Sequence, residues 1–146
     1  MTGTARVAGW AMAAGVAMGC GAREPEAATA FEPAQVEIVA PVDGDSVSLP
    51  ITIRLTASGI TIAPASGVRE AGIGHHHLLV DADHSPDDQP IPTGNGYIHL
   101  GSGVSEWVLD SLPPGPHRII ARLAWGDHVP VTGGVTDTIR IVVRGQ

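Results

Sequence analysis

The chain has 146 residues, enough for one domain with a real core, and it carries 15 acidic against 8 basic side chains, every one of the latter arginine, for a net charge of -7. An acidic chain with no basic cluster and 3% aromatic residues can neither neutralise phosphates nor stack bases, which excludes a nucleic-acid binder. Glycine (19) and proline (12) are abundant beside many Val, Ile and Thr, a composition of short strands joined by turns.

In chain order, the first predicted element is a targeting segment. Residues 1–6 hold one positive charge, and residues 7–19, VAGWAMAAGVAMG, form an apolar run too short to span a membrane comfortably, the shape of a signal peptide. The run ends in AMGC, where Cys20 is the single cysteine of the chain. Small residues at Ala17 and Gly19 resemble a bacterial lipobox, although leucine is usual where Ala17 stands. On this reading residues 1–20 are the leader, Cys20 is lipidated, and the lipid is the one attachment to a membrane. The alternatives are ordinary export with cleavage nearby, or a plain N-terminal anchor. A lone cysteine has no internal disulfide partner. Residues 21–34, GAREPEAATAFEPA, are small, acidic and proline-bearing, and read as a flexible linker. The folded domain is expected over residues 35–146.

Within the domain the hydrophobic period is two. QVEIVA sets Val36, Ile38 and Ala40 against Gln35, Glu37 and Val39, and a turn follows at Asp43-Gly44. ITIRLT sets Ile51, Ile53 and Leu55 against Thr52, Arg54 and Thr56. EWVL puts Trp107 and Leu109 together. HRIIARLAW puts Ile119, Ala121 and Leu123 on one face and Arg118 and Arg122 on the other. DTIRIVVRG does the same with Ile139, Ile141 and Val143 against Arg140 and Arg144. One dry and one wet face per strand, with no sustained helical period, predicts an all-β fold: a single immunoglobulin-like antiparallel β-sandwich of about seven strands. Two long connections, residues 59–73 and 83–96, flank the strand-like run GHHHLLVD and are long enough to be functional.

That run raises the chemical question. All seven histidines lie in the second half of the chain: His75, His76, His77, His84, His99, His117 and His128. On a strand, His75 and His77 share one face with Leu79, while His76 shares the other with Leu78 and Val80. Neither face is plainly polar, so a central strand covered on both sides is expected. His75 and His77 are a credible ligand pair. His99, in YIHLGSG, belongs on a neighbouring strand, and His128 sits in a loop able to close over one end. Imidazole suits copper or zinc. Asp81, Asp83 and Glu106 offer carboxylates nearby in sequence. The competing explanation is structural: buried histidines that donate one ring N–H and accept at the other nitrogen. His76 reads as core, and His84 and His117 as scaffold or surface. No G-x-S-x-G elbow, P-loop or H-E-x-x-H is present, so a catalytic role is not expected; a metal-dependent envelope enzyme would need Glu106 as its base.

The succession GITIAPASG, GHHHLLVD, QPIP, IHLGSG, LPPGPHRIIARL and HVP resembles the bacterial family DUF 4399, a domain of unknown function, over residues 36–143. The resemblance implies a small exported protein. It picks out His75, His76, His77, Asp81, His99, Gly101, Gly103, Glu106, Gly115, His117 and His128, and so moves His117 from scaffold to motif. The chain departs from the family pattern at Tyr97, Trp125 and Val131, where two histidines and an aspartate are usual.

The sequence thus predicts an exported, lipid-anchored, periplasmic or cell-surface binding module that is not an enzyme. Its copper or zinc site is built from His75, His77, His99 and His128, with His76, Asp81, Glu106 and His117 in support, and its envelope ligand or protein partner is unknown. Binding through neutral imidazoles is expected to weaken below about pH 6. The alternative is a structural or adhesive envelope module pinned by a buried histidine hydrogen-bond network.

Overall fold

The computed structural model describes residues 32–145, so the segment expected to be a signal peptide, Cys20, most of the expected linker and Gln146 lie outside the described residues. The described chain forms β1 (Gln35–Ala40), β2 (Ser46–Val47), β3 (Ile51–Ser58), β4 (Thr61–Ile62), β5 (Ile73–Val80), β6 (Tyr97–Leu100), β7 (Glu106–Leu109), β8 (Gly115–Trp125) and β9 (Asp137–Val143), with no helix among them. The period-two segments become strands with one buried face: Val36 and Ile38 in β1, Ile51, Ile53 and Leu55 in β3, and Ile139, Ile141 and Val143 in β9 point inward while their neighbours stay exposed. The predicted turn closes through the Asp45 N–H donating to Val42 O at 3.1 Å.

Two sheets result. One has the order β1-β3-β7; the other has the order β2-β9-β8-β5-β4, with β6 also paired to β5. Val36, Ile38, Ile53 and Leu55 of the first pack against Leu78, Val80, Ile119, Ala121, Leu123 and Ile141 of the second to form the main core. β5 lies antiparallel to β8 from Gly74 opposite Trp125 to Val80 opposite Ile119, and antiparallel to β6 on its other side.

Three expectations are corrected. The strands number nine rather than about seven, because β2 and β4 are two residues long, too short for any period to reveal them. Both pair in parallel, β2 with β9 and β4 with β5, so the sheets are not wholly antiparallel. The second face of β8 is not wet throughout: Arg122 is only 7% exposed, because the connection after β5 folds back over it. Trp107 stands opposite Ile53 as its phase requires, yet remains 38% exposed on an edge strand.

Asp81 and His117 fasten the end of β5 to the start of β8. Asp81 has φ +54, a conformation aspartate tolerates better than most residues. Its Oδ1 accepts the Arg118 backbone N–H at 2.8 Å, and its Oδ2 lies 2.6 Å from His117 Nδ1. The other ring nitrogen of His117, Nε2, donates to Pro113 O at 2.8 Å. Both ring nitrogens face acceptors, an environment that favours the imidazolium form. Burial alone would lower the pKa of His117, and the bonds to Asp81 and Pro113 outweigh it and raise it. The Asp81 carboxyl is held below its usual range, its burial outweighed by the Arg118 and His117 hydrogen bonds. Losing hydrogen bonds to a charged group costs about 1.5–3 kcal/mol. Asp81→Ala is therefore expected to lower the melting temperature by several degrees at pH 6. The same variant should leave metal affinity unchanged, as thermal melts and titration calorimetry would read.

Candidate metal centre

β5 is buried along seven of its eight residues, as a central strand covered on both sides must be. His76 faces the main core with Leu78 and Val80. His75, His77 and Leu79 face the opposite side of the sheet, beside Ala124, Arg122 and Ile120 of β8. That side is roofed by the connection between β5 and β6: Leu79 and Ile120 pack with Ala82 and Tyr97, and Ile91 is buried as well. The three consecutive histidines are 0–1% exposed.

The register brings in the other two ligand candidates. His99 lies directly across from His77 in the β5–β6 pair. The residue across from His75 on β8 is Ala124, whose small side chain leaves the space above the sheet to imidazoles. His128 follows β8 in a tight turn, with φ +69 and its N–H donating to Trp125 O at 2.8 Å. Both long connections fix that turn. The Ile91 N–H donates to His128 O at 2.9 Å, the Gly67 N–H donates to Gly126 O at 2.9 Å, and Arg69 pairs with Asp127 at 3.0 Å. A Cβ at Gly126 would collide with Val68 O, so the residue must be glycine for residues 66–68 to lie this close. The two connections singled out as functional therefore act as braces for His128.

The four rings converge. Every pair among His75, His77, His99 and His128 has centroids 4.6–6.1 Å apart. One ligand-capable nitrogen from each lies within 4.8 Å of all the others. His75 Nε2 is 3.0 Å from His77 Nε2 and 3.3 Å from His128 Nδ1. A tetrahedral ion with metal–nitrogen bonds of about 2.0–2.1 Å places its donors about 3.3–3.4 Å apart. The arrangement thus needs only small shifts to enclose one. His99 stands at the exposed edge of the group.

A structural network would aim the ring nitrogens at carbonyls. Here Nε2 of His75 faces Nε2 of His77 and Nδ1 of His128, whereas the Nδ1 atoms of His75, His76 and His77 alike are buried without a hydrogen-bond partner. A bound ion's ligands would be oriented by packing rather than by the hydrogen-bonded partners usual around metal-bound histidines. Burial, then the charges of the neighbouring histidines, pushes the pKa of His75 down to about 4 and that of His77 down to about 3. Burial and then His128 also lower His99. His75, His77 and His99 are therefore neutral at pH 7, the form that ligates.

The supporting residues named from sequence do not join the cluster. Strand alternation sends His76 to the opposite face, where Nε2 meets Ser105 Oγ at 3.3 Å and burial lowers its pKa to about 4. Asp81 is four residues past His77, about 13 Å along an extended chain, and is occupied with His117. Glu106 is exposed on β7, across from Arg54 in the other sheet, and is not one of the four clustered side chains. His84 is exposed. Sequence reasoning missed Arg122, which lies opposite His77 and donates to Ser85 O at 2.8 Å and to Asp87. Its alternation with Ile119 and Ala121 marked it as solvent-facing, and no local signal places the roof above it.

Gly101 gains a physical role: a Cβ there would overlap the His99 ring. Gly101→Ala is expected to push His99 out of the group and weaken metal affinity about 10–100-fold, the size of effect seen when a ligand's support is lost. His76→Leu, on the opposite face, should not. Parallel zinc titrations of the two variants decide this.

A family model described as Domain of unknown function (DUF4399) matches residues 53–144. The chain belongs to this family. The match contains β4 through β9 and all four clustered histidines, while β1 and β2 lie before it. No curated protein matches the chain. Among solved structures, the endo-beta-1,4-mannanase from Thermotoga petrophila is similar at 17% identity, over 81% of this chain and 21% of that one, with a TM-score of 0.47. An engineered protein is similar at 14% identity, over 80% of this chain and 21% of that one, with a TM-score of 0.47. The DUF4399 chain thus spans about a fifth of the length of these structures, 21% of each.

Proposed function

We propose that this DUF4399 protein is a non-catalytic metal-binding module of the bacterial envelope, holding one copper(II) or zinc ion through His75, His77, His99 and His128. One observation carries it: four imidazoles, two of them wholly buried, turn their nitrogens toward a common point instead of toward carbonyls. The donor set is all nitrogen, with neither thiolate nor thioether, which suits these divalent ions. The frame is an immunoglobulin-like sandwich, in support of which β1-β3-β7 faces β9-β8-β5-β6, an order shared with the two sheets of that fold. Export and lipidation at Cys20 rest on the AMGC segment, and the mass of the mature N-terminus tests them.

A structural role remains the better reading for His76 and His117, whose partners are Ser105 in one case and Asp81 with Pro113 in the other.

The test is metal analysis and titration calorimetry of untagged residues 32–146 with zinc and with copper(II) at pH 7.4. One equivalent bound supports the proposal. No binding tighter than about 0.1 mM, roughly -5.5 kcal/mol, makes the cluster scaffold and ends the metal reading.

A further inference from the structure

We infer that the histidine site, once loaded with a divalent ion, takes a small exogenous anion as an additional ligand; this rests on the metal-binding reading above. The inference comes from charge. The residues grouped around the ligand point are histidines alone, with no carboxylate or thiolate among them. Four neutral imidazoles leave the double charge of the ion undiminished in a half-buried setting, where an unbalanced charge is costly.

The surroundings do not balance it. Arg122, lying opposite His77, is itself a cation whose side chain is 8% exposed. Asp87, in the second long connection, and Asp127, next to His128, are committed to Arg122 and to Arg69. The Arg122–Asp87 pair is neutral as a whole and holds its guanidinium rather than its carboxylate against the site, so it offers the ion no balancing charge. The protein supplies nothing negative to the ion, so the balancing charge comes from solution. Access is from the edge where His99 is exposed and His128 is half-buried. Either candidate ion could take a further ligand beyond four imidazoles by expanding its coordination number. The ligand class is a compact monovalent anion, a halide or the carboxylate end of a small acid.

The probe is sodium azide, added to the copper(II)-loaded domain in chloride-free buffer and followed by absorption and copper EPR. The expected result is a new charge-transfer band that saturates at one azide per copper, is competed by chloride, and leaves copper bound on gel filtration. Arg122→Met should weaken azide binding. Asp87→Asn, which removes the carboxylate paired with Arg122 while Ser85 O still accepts from that guanidinium, should strengthen it several-fold in a variant whose thermal melt shows it folded. Copper bound at one equivalent with spectra unchanged by excess azide overturns the inference and leaves the metal reading standing. Azide that strips the copper overturns it too. No copper bound at all overturns the metal reading and this inference with it.

Discussion

His77→Leu is expected to abolish metal binding while leaving the metal-free domain as stable as before. Groups that merely orient a metal ligand are worth about 10–100-fold in affinity, so losing a ligand itself should cost more than about 100-fold. The wild-type domain, with metal at a hundred times its Kd, should gain about 2.7 kcal/mol, a rise in melting temperature on the order of 10 °C for a domain of this size. The variant should show no such rise. Leucine fills most of the space of the imidazole; it removes a buried Nδ1 that has no hydrogen-bond partner together with the Nε2 that meets His75 Nε2 at 3.0 Å, and His75 Nε2 keeps His128 Nδ1 as its partner. Exchanging an unsatisfied polar group for an apolar one of like shape is near neutral or stabilising. The hydrogen-bond network reading makes the opposite forecast: a loss of several degrees whether or not metal is present. Melts of both proteins, with and without zinc, separate the two, and a destabilised metal-free variant would reject the metal site in favour of the network.

The metal-free domain should also lose stability steeply in mild acid. In the folded state burial, foremost, holds His75 and His76 down to about 4 and His77 down to about 3. In the unfolded chain these rings titrate near 6.5. Above pH 6.5 both states are neutral and stability is full. As pH falls from 6.5 toward 4, the unfolded chain binds protons that the folded chain refuses, and stability drops. Three such groups give a slope of up to about 4 kcal/mol per pH unit, against a total of about 5–15 kcal/mol for a typical domain. Unfolding should therefore set in near pH 5, read as a falling urea midpoint between pH 7.5 and pH 5. An unchanged midpoint would mean that the three rings are not held neutral. The same burial moves the loss of metal. His75 and His77, held neutral well below pH 6, do not yield to protons there, so zinc should be kept at pH 5.5 and released together with unfolding. This is lower than the limit near pH 6 expected from ordinary histidines.

What the sequence by itself determined is the part governed by period and composition. Alternation in β1, β3, β8 and β9 set which residues face the core, because a strand buried on one side must repeat every second residue. The triple histidine, with apolar residues in both phases, declared β5 central and split His75 and His77 from His76. Which histidines meet was decided by pairing and by loops. His99 reaches His77 because β6 docks on β5 in one register, and a shift of one residue would send it to the other face. His128 arrives from 51 residues beyond His77 because both long connections hold its turn. The burial of Arg122 and the separation of Asp81, Glu106 and His117 from the cluster were decided at the same level. Local pattern fixes the face of the sheet a side chain takes, while its neighbours on that face depend on contacts distant in the chain, which leave no period to read.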